Sequence, residues 1–376
     1  MPELFELVIE AYPSSLFCNS KIYRKLFLDS LVKQGFHSCL IISDSELSCD
    51  SKNIFLKYVS KSALTENHQL FAEKITYINP GNFVSLGLKS LVRDNQACTF
   101  GLRLASENAN YPYFDSKACL NKSKFFDDNW IDAYEYSGIM TCEKSIFLKV
   151  LQYTHLDQEL FKSICSSCKP STSLLGGIVV PNSASENLEK LKLYLSLPIR
   201  PCLFLDRDGI INVDTGYPHK RSQLKAIDGI IPIIQWAKNR SWWVVVVTNQ
   251  AGLAKGIFKE QDYQKFSSYL QTWLTEQGVK IDAWYHCPYH PEGIREDLSF
   301  KSLKRKPHPG MILESMASLP IDVEKSLMIG DKESDILYLR GLKTLLIEGR
   351  YQLATEQNVP KVNNHERALE YLLSQD

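Results

Sequence analysis

The stretch FLDRDGIIN, from Phe204 to Asn212, decides the fold of the second half of this chain. It begins in the apolar run PCLFL, which predicts a buried parallel strand, and it places Asp206 and Asp208 where that run stops. Residues two apart on a strand share a face, so both carboxylates can point into one site. Asp and Gly after a strand also mark ordinary turns, and the pattern by itself does not separate a turn from an acid/base site.

Two further apolar runs end in polar side chains in the same way. VVVVTNQAG predicts a buried strand that ends at Thr248 and Asn249, and LMIGDKESD predicts another that ends at Asp331. Between them, LKRKPHPG places Arg305 and Lys306 at a helix start marked by prolines. In open α/β sheets ligands bind at the carboxyl ends of the strands, so these side chains are predicted to gather at one site.

The acidic residues indicate phosphoryl chemistry. A carboxylate can attack phosphorus, which splits hydrolysis into two easier displacements, and Asp206 is the predicted nucleophile. Asp208 would protonate the leaving alkoxide and later take a proton from the attacking water. Asp206 and Asp331 offer the hard oxygen ligands that an octahedral Mg²⁺ prefers, so Mg²⁺ is the expected cofactor.

The neighbouring polar groups are predicted to hold the phosphoryl group. Thr248 and Asn249 would supply neutral donors to its oxygens, and Lys306 a positive charge where negative charge develops. A lysine in KSLKRK is otherwise most often a solvated surface charge, so its assignment depends on the surrounding motifs.

In this order, the residues resemble the haloacid dehalogenase superfamily of phosphatases. Within it they are similar to the D-glycero-D-manno-heptose 1,7-bisphosphate 7-phosphatase family, which is related to the histidinol-phosphate phosphatases. The resemblance runs from about Pro201 to Gln352 through FLDRDGIINVDTGYPH, VVVVTNQAGLAKGIF, CPYHP, RKPHPGM and IGDKESD. It implies a Rossmannoid parallel sheet and Mg²⁺ held by Asp206, the backbone carbonyl of Asp208, and Asp331. It also implies removal of the 7-phosphate of a heptose bisphosphate.

The same resemblance implies which residues meet the substrate. Asp214 and Tyr217, in NVDTGYPH, correspond to the sugar-facing loop. Arg305 would meet the distal phosphate, Lys306 would contact the transferred one, and Lys332 stands beside the metal ligand. The product, a heptose 1-phosphate, would feed nucleotide-activated heptose for lipopolysaccharide synthesis.

A structural zinc loop is common in that family, and this chain departs from it. The resemblance predicts cysteines just before the Arg-Lys-Pro sequence, but Ser302 and Lys304 stand there. Cys287 and His290 cannot complete a four-ligand closed site by themselves. Zinc is therefore not expected.

Length and composition define the remaining expectations. A chain of 376 residues exceeds what one core usually holds, so two domains are expected. Its 43 basic and 43 acidic residues cancel, which favours neither nucleic acid nor membrane as a partner, and a small sugar phosphate is the expected one. MPELFELVIEAYP does not resemble a signal peptide, and ten scattered cysteines suit free thiols, so the expected location is the cytoplasm. The oligomeric state stays open.

The prolines of LSLPIRPC place the domain boundary between 196 and 201, giving domains 1–196 and 201–376. Upstream, alternating patterns predict a second α/β domain, with strands at 5–10, 38–43, 75–78 and 98–104 and helices at 20–34 and 84–94. Its order distantly resembles a sugar-phosphate nucleotidyltransferase. EAYPSS has no glycine to cradle phosphates and INPGN no metal-binding Asp, so an inactive, degenerate domain is predicted.

Three alternatives to the heptose phosphatase stay open at this point. A histidinol-phosphate or broad phosphosugar phosphatase would share Asp206 and Asp208 but tolerate loss of Arg305 better. A bifunctional phosphatase/nucleotidyltransferase would need activity in the first domain. A non-enzymatic phosphosugar-binding scaffold would keep its function without Asp206.

Overall fold

The structure is a computed structural model of the 376-residue chain. It describes 5–11, 16–43, 54–60, 68–79, 96–105, 130–151, 158–168, 170–179, 185–350 and 359–375, with 47, 63, 83–85, 88, 91, 113–114 and 120–121.

The chain divides into two compact units. The first consists of Met1–Lys124, Ala133–Pro198 and Met316–Pro320, and the second of Phe125–Asp132, Ile199–Ser315 and Ile321–Asp376. The main division thus falls inside LSLPIRPC. A short segment that ends at Asp132 nevertheless belongs to the second unit, although it precedes most of that unit by about 70 residues in sequence.

The described strands of the first unit are β1 (Phe5–Glu10), β2 (Ser38–Ile42), β3 (Phe55–Val59), β4 (Phe71–Ile78), β5 (Phe83–Ser85), β6 (Cys98–Leu104), β7 (Tyr113–Phe114), β8 (Leu120–Asn121), β9 (Tyr134–Glu143), β10 (Ser171–Leu174) and β11 (Gly177–Val179). Nine of them form a mixed sheet in the order β10-β6-β9-β4-β1-β2-β3, with β7 and β8 attached at β9. Pairing is parallel among β4, β1, β2 and β3 and antiparallel on both sides of β9. A second sheet pairs β5 with β11.

Helices complete the first unit, and one of them shows why the local sequence is helical. The side chain of Ser20 caps the start of α2 by accepting a hydrogen bond from the Tyr23 amide, and Phe27 and Leu31 place its apolar face in the core. The described helices are α1 (Leu16–Asn19), α2 (Lys21–Lys33), α3 (Lys144–Val150), α4 (Gln158–Ser167) and α5 (Ser185–Ser196).

The elements of the second unit are β12 (Cys202–Leu205), α6 (Ile230–Asn239), β13 (Trp243–Asn249), α7 (Ala251–Ala254), α8 (Glu260–Glu276), β14 (Ala283–Cys287), α9 (Gly310–Ser315), β15 (Leu327–Gly330), β16 (Lys343–Ile347), β17 (Lys361–Val362) and α10 (His365–Leu373). Its six strands form one sheet, ordered β14-β13-β12-β15-β16-β17, in which every pairing is parallel. The central strands are apolar and buried on both faces, and α6, α8 and α10 pack against one of these faces.

The prediction of two α/β folds is confirmed, with one local correction. The helix predicted at 84–94 cannot begin at Val84, because Phe83–Ser85 form β5 and pair with Gly177–Val179. Val84 is buried, so tertiary pairing outweighs the local helical pattern. Most of the rest of that stretch lies outside the described residues. No helix among the residues described is long and apolar enough to cross a membrane.

Candidate active site

The carboxyl ends of three adjacent parallel strands define the site. Asp206 follows β12, Thr248 and Asn249 end β13, and Asp331 follows β15. Beside them is a cleft of about 250 Å³. Nine of the ten site residues predicted from the sequence line this cleft, and Asp331 is the one that does not. The cleft is lined by Asp206, Asp208, Asp214, Gly216, Tyr217, Thr248, Asn249, Gln250, Ala251, Arg305, Lys306, Lys332 and Ser334.

A buried ammonium group lies between two carboxylates at this cleft. Lys306 Nζ is 2.9 Å from Asp206 Oδ1 and 2.5 Å from Asp335 Oδ1, and the Lys306 side chain is 2% exposed. Burial lowers the pKa of Lys306, but the two carboxylates outweigh it and leave the pKa above its ordinary value. Lys306 therefore stays positively charged beside Asp206, as the sequence analysis expected.

Asp335 is a site residue that the sequence analysis missed. Besides Lys306, it accepts hydrogen bonds from the amides of Asp331 and Lys332 at Oδ2, at 3.1 and 3.0 Å, so it fixes the turn that follows β15. A Cβ at Gly330 would lie 2.2 Å from the Asp335 carboxylate, which explains the glycine there. The signal in the sequence was the second aspartate of GDKESD, four residues after Asp331.

Three carboxylates form a candidate metal centre. Asp206, Asp331 and Asp335 each offer an oxygen, and these oxygens lie within 4.8 Å of one another. Among the described residues, neither oxygen of the buried Asp331 has a hydrogen-bond partner, and the nearest cation, Lys332 Nζ, is 3.8 Å away. Burial raises the pKa of Asp331 to about 7, with Lys332 lowering it and Asp206 and Asp335 raising it further. A buried carboxylate without donors fits a divalent cation that prefers oxygen ligands.

Close backbone approach shapes this centre. Gly209, at φ +94°, carries the chain past Asp331, and a Cβ there would lie 2.2 Å from Asp331 Oδ2. The glycine is required both by the left-handed conformation and by this contact. The final G of LDRDG therefore lets the Asp206–Asp208 turn lie directly against the β15 carboxylate.

Asp208 is held by four hydrogen bonds from inside the protein. Arg207 donates from Nε and Nη2 at 3.0 and 2.7 Å, Asn212 from Nδ2 at 2.9 Å, and Gln250 from Nε2 at 3.1 Å. Arg207 is fully buried, and its guanidinium lies 4.9 Å from the centre of the Phe266 ring. Sequence reasoning did not single out these donors, although Arg207 and Asn212 lie one and four positions from Asp208 in the sequence. Gln250 is 42 positions away.

The two polar residues at the end of β13 have different surroundings. Thr248 is buried at the cleft, and its hydroxyl accepts a hydrogen bond of 2.9 Å from Gln250 Nε2. Asn249 was expected to donate to a phosphoryl oxygen, but its side chain bonds the Lys306 backbone in both directions. Its Nδ2 donates to the Lys306 carbonyl at 3.1 Å, and its Oδ1 accepts from the Lys306 amide at 3.0 Å. The Asn249 side chain therefore positions Lys306, and its donation to a phosphoryl oxygen stays a prediction.

The NVDTGYPH loop contributes Asp214, Gly216 and Tyr217 to the lining of the cleft. Asp214 Oδ2 accepts from Lys332 Nζ at 3.1 Å, and Asp214 Oδ1 accepts from the Gly216 amide at 2.8 Å. Tyr217 adopts φ +54°, a conformation uncommon for a large side chain, and its hydroxyl accepts from Lys255 Nζ at 3.0 Å. The strained turn thus presents Tyr217 beside a cation.

Arg305 lines the cleft next to Lys306. Burial lowers the pKa of its guanidinium, with Cys287 and Tyr217 acting in the opposite direction. Its Nη1 lies 3.5 Å from the Tyr289 carbonyl, a contact at the outer limit of a hydrogen bond. The guanidinium can therefore reorient toward an anion without losing a strong interaction.

The described part of the chain groups no cysteine or histidine into a three-ligand cluster. His290 Nδ1 accepts from the Glu292 amide at 3.1 Å, and His286 Nε2 lies 3.2 Å from Glu260. The residues of the loop between Cys287 and Arg305 do not fit a structural zinc ion, and its absence stays a prediction.

The raised pKa of Asp331 gives the first testable prediction. Below about pH 7 the carboxyl group holds a proton when no metal is bound, and Mg²⁺ has to displace it. Mg²⁺ affinity, measured by titration calorimetry, should rise from pH 6 to pH 8 and weaken by up to about tenfold for each unit below 7. Asp331→Asn is the control, which should bind weakly at every pH. The same affinity at pH 6 and pH 8 would contradict this assignment.

Known proteins share this half of the chain. Residues 303–363 match the HAD-hydrolase-like family. The D-glycero-β-D-manno-heptose-1,7-bisphosphate 7-phosphatase of Photorhabdus laumondii is 40% identical over 154 residues, 40% of this chain and 82% of that protein. That of Escherichia coli K12 is 42% identical over 136 residues, 36% of this chain and 71% of that protein.

A solved structure is also similar. The D,D-heptose 1,7-bisphosphate phosphatase from B. bronchiseptica, complexed with magnesium and phosphate, is 25% identical, covers 47% of this chain and 99% of its own, and has a TM-score of 0.41. The resemblance found in the sequence is confirmed by the identity to the curated relatives. On that identity and coverage, the chain belongs to the D-glycero-β-D-manno-heptose-1,7-bisphosphate 7-phosphatase family of phosphoric monoester hydrolases.

Proposed function

We propose that this chain removes the 7-phosphate of D-glycero-D-manno-heptose 1,7-bisphosphate in a Mg²⁺-dependent reaction through an aspartyl-phosphate at Asp206. The observation that carries the proposal is the buried Asp206 carboxylate, 2.9 Å from Lys306 Nζ and within 4.8 Å of Asp331. Family membership supports the substrate, because the curated relatives are named for this reaction.

In the first displacement, an oxygen of Asp206 attacks phosphorus and the bond between phosphorus and the C7 oxygen breaks. Asp208 gives its proton to the leaving alkoxide. To do so it exchanges part of its hydrogen bonding with Arg207 and Gln250 for the leaving oxygen. Lys306 and the hydroxyl of Thr248 stabilise the negative charge that develops on the phosphoryl oxygens.

In the second displacement, water attacks phosphorus and the acyl phosphate bond to Asp206 breaks. Asp208, now ionised, accepts a proton from that water, which releases phosphate and restores both carboxyl groups. Bound by Asp206, Asp331 and the Asp208 carbonyl, Mg²⁺ would offset the repulsion between the anionic nucleophile and the anionic phosphate. The Asp331 oxygens that lack donors support this ligand set.

Cations other than Lys306 support a substrate with two phosphates. Arg305 and Lys332 line the same cleft. Among the described residues, Lys332 pairs with the carboxylates of Asp214 and Asp331, whereas the Arg305 side chain contacts a backbone carbonyl. A planar guanidinium can bind a phosphate through two parallel hydrogen bonds, which makes Arg305 the ligand of the 1-phosphate. The product, a heptose 1-phosphate, would then enter nucleotide-activated heptose synthesis for lipopolysaccharide, in the cytoplasm.

Turnover tests this function directly. With Mg²⁺, kcat/KM for one or both anomers of the heptose bisphosphate should exceed that for histidinol phosphate and fructose 1,6-bisphosphate by about 100-fold or more. Asp206→Asn, which preserves shape and removes the nucleophile, should lower kcat by at least about 10⁴-fold. Equal slow turnover of all the substrates would instead indicate a broad phosphosugar phosphatase. Activity that survives in Asp206→Asn would overturn the assigned nucleophile.

Arg305 tests the choice of a bisphosphate. Arg305→Ala should lower kcat/KM for the heptose bisphosphate by about 100-fold, the effect of losing one positioned donor, and that for a sugar monophosphate by less than about tenfold. Lys304→Ala is the matched control, because this adjacent cation pairs with Glu314 at 3.1 Å and does not line the cleft. Equal losses on both substrates would exclude Arg305 as the ligand of the second phosphate.

A further inference from the structure

The Asp132 carboxylate, far upstream in the chain, accepts hydrogen bonds from the segment that carries Arg305 and Lys306. Asp132 Oδ2 accepts a hydrogen bond of 2.6 Å from the Ser302 hydroxyl, and Asp132 Oδ1 accepts one of 2.6 Å from the Leu303 amide. Ser302 and Leu303 are buried. Both oxygens of one carboxylate are thus used on two consecutive residues, three positions before Arg305 and Lys306.

Trp130 and Ile131, the two residues before Asp132, also contact this segment. The Ile131 amide donates to the Lys301 carbonyl at 3.0 Å, and Trp130 forms a parallel bridge with Lys301. The Trp130 ring meets the edge of the His308 ring, with centroids 5.3 Å apart. Contacts from 130–132 are therefore made at 301–303 and at 308, on either side of Arg305 and Lys306 in the sequence.

Hydrogen bonds pass this constraint from Ser302 to the cations. The Ser302 hydroxyl donates to Asp132 and accepts from the Lys304 amide at 3.0 Å, and the Ser302 carbonyl accepts from the Arg305 amide at 3.1 Å. On the other side, the Asn249 side chain binds the Lys306 backbone. The segment is held from both ends, and Asp132 supplies one of them.

Ser302 is the residue whose side chain ties the loop before Arg305 to Asp132. The described residues of this loop do not fit a structural zinc ion. The Asp132 carboxylate can order the loop by hydrogen bonding instead, because both of its oxygens accept from donors there.

We propose that Asp132 is a positioning residue of the phosphatase. It lies before residue 199, where the main part of the catalytic unit begins, and it orders the turn at 302–304 so that Arg305 and Lys306 point into the cleft. The inference rests on the proposed function for the identity of the substrate, but the structural effect on the 302–308 segment does not depend on that identity. A role for the upstream part of the chain in catalysis follows.

The test compares full-length Asp132→Ala and Asp132→Asn with Asp297→Ala. Asp297 is the control because it lies in the same loop and pairs on the exposed surface with Arg295 at 2.7 Å. Asparagine keeps an acceptor for the Leu303 amide and can still meet the Ser302 hydroxyl, so it should rescue part of the function. Two readouts are needed: hydrogen exchange of peptides that cover 300–310, and kcat/KM for the heptose bisphosphate and for p-nitrophenyl phosphate.

Asp132→Ala should speed amide hydrogen exchange at Leu303 and Lys304 by about tenfold or more, because the Leu303 amide loses its acceptor. It should lower kcat/KM by up to about 100-fold, the cost of misplaced catalytic groups, with most of the loss in kcat. Asp132→Asn should lie between Asp132→Ala and the unmodified chain, and Asp297→Ala should match the unmodified chain. Unchanged exchange or unchanged kcat in Asp132→Ala would overturn the proposal.

Two outcomes keep this proposal separate from the proposed function. If the unmodified chain fails to hydrolyse the heptose bisphosphate but hydrolyses p-nitrophenyl phosphate, the substrate is wrong and the Asp132 effect is still read on the second substrate and by exchange. If Asp132→Ala does not fold, Ser302→Ala replaces it. This variant removes the hydroxyl that donates to Asp132 and accepts from the Lys304 amide. It should show the same changes in exchange and kcat.

Discussion

The positive charge of Lys306 is the constraint on which the site depends. Three carboxylates, Asp206, Asp331 and Asp335, lie within 4.8 Å of one another in a buried region, and such a cluster is unfavourable without compensating charge. The Lys306 ammonium contacts two of them directly, and no donor among the described residues satisfies the oxygens of Asp331. One fixed cation therefore orients Asp206, the proposed nucleophile, while Asp331 is the proposed ligand of a second, exchangeable cation.

The fold makes this charge arrangement possible through backbone geometry. Parallel strands β12, β13 and β15 end at the same edge of the sheet, so their C-terminal residues meet even though they are up to 125 residues apart in sequence. Gly209 lets the β12 turn approach Asp331, and Asn249 holds the Lys306 backbone from the end of β13. Lys306 itself lies in a loop. Its position therefore depends on these backbone contacts and on the hydrogen bonds that Asp132 accepts from Ser302 and Leu303.

Sequence reasoning found the residues that follow recognisable strands and missed those placed by tertiary contacts. Asp206, Thr248 and Asp331 could be predicted because a buried apolar run marks each strand and a polar residue marks its end. The hydrogen bond from Gln250 to Asp208 and the contact of Asp132 with Ser302 could not, because 42 and 170 positions separate the two pairs and no local pattern links them. The hydrogen bonds between the Asn249 side chain and the Lys306 backbone were missed for a related reason, because the two residues are 57 positions apart in sequence.

The most direct test of the central claim is to trap the phosphoenzyme. The enzyme is mixed in excess with heptose bisphosphate labelled in its 7-phosphate, quenched in acid within milliseconds, and digested for peptide mapping. If Asp206 is the nucleophile, the peptide that contains it carries a transient acid-stable label, and the same peptide of Asp206→Asn carries none. Turnover with no labelled protein, or a label on any other residue, would contradict it.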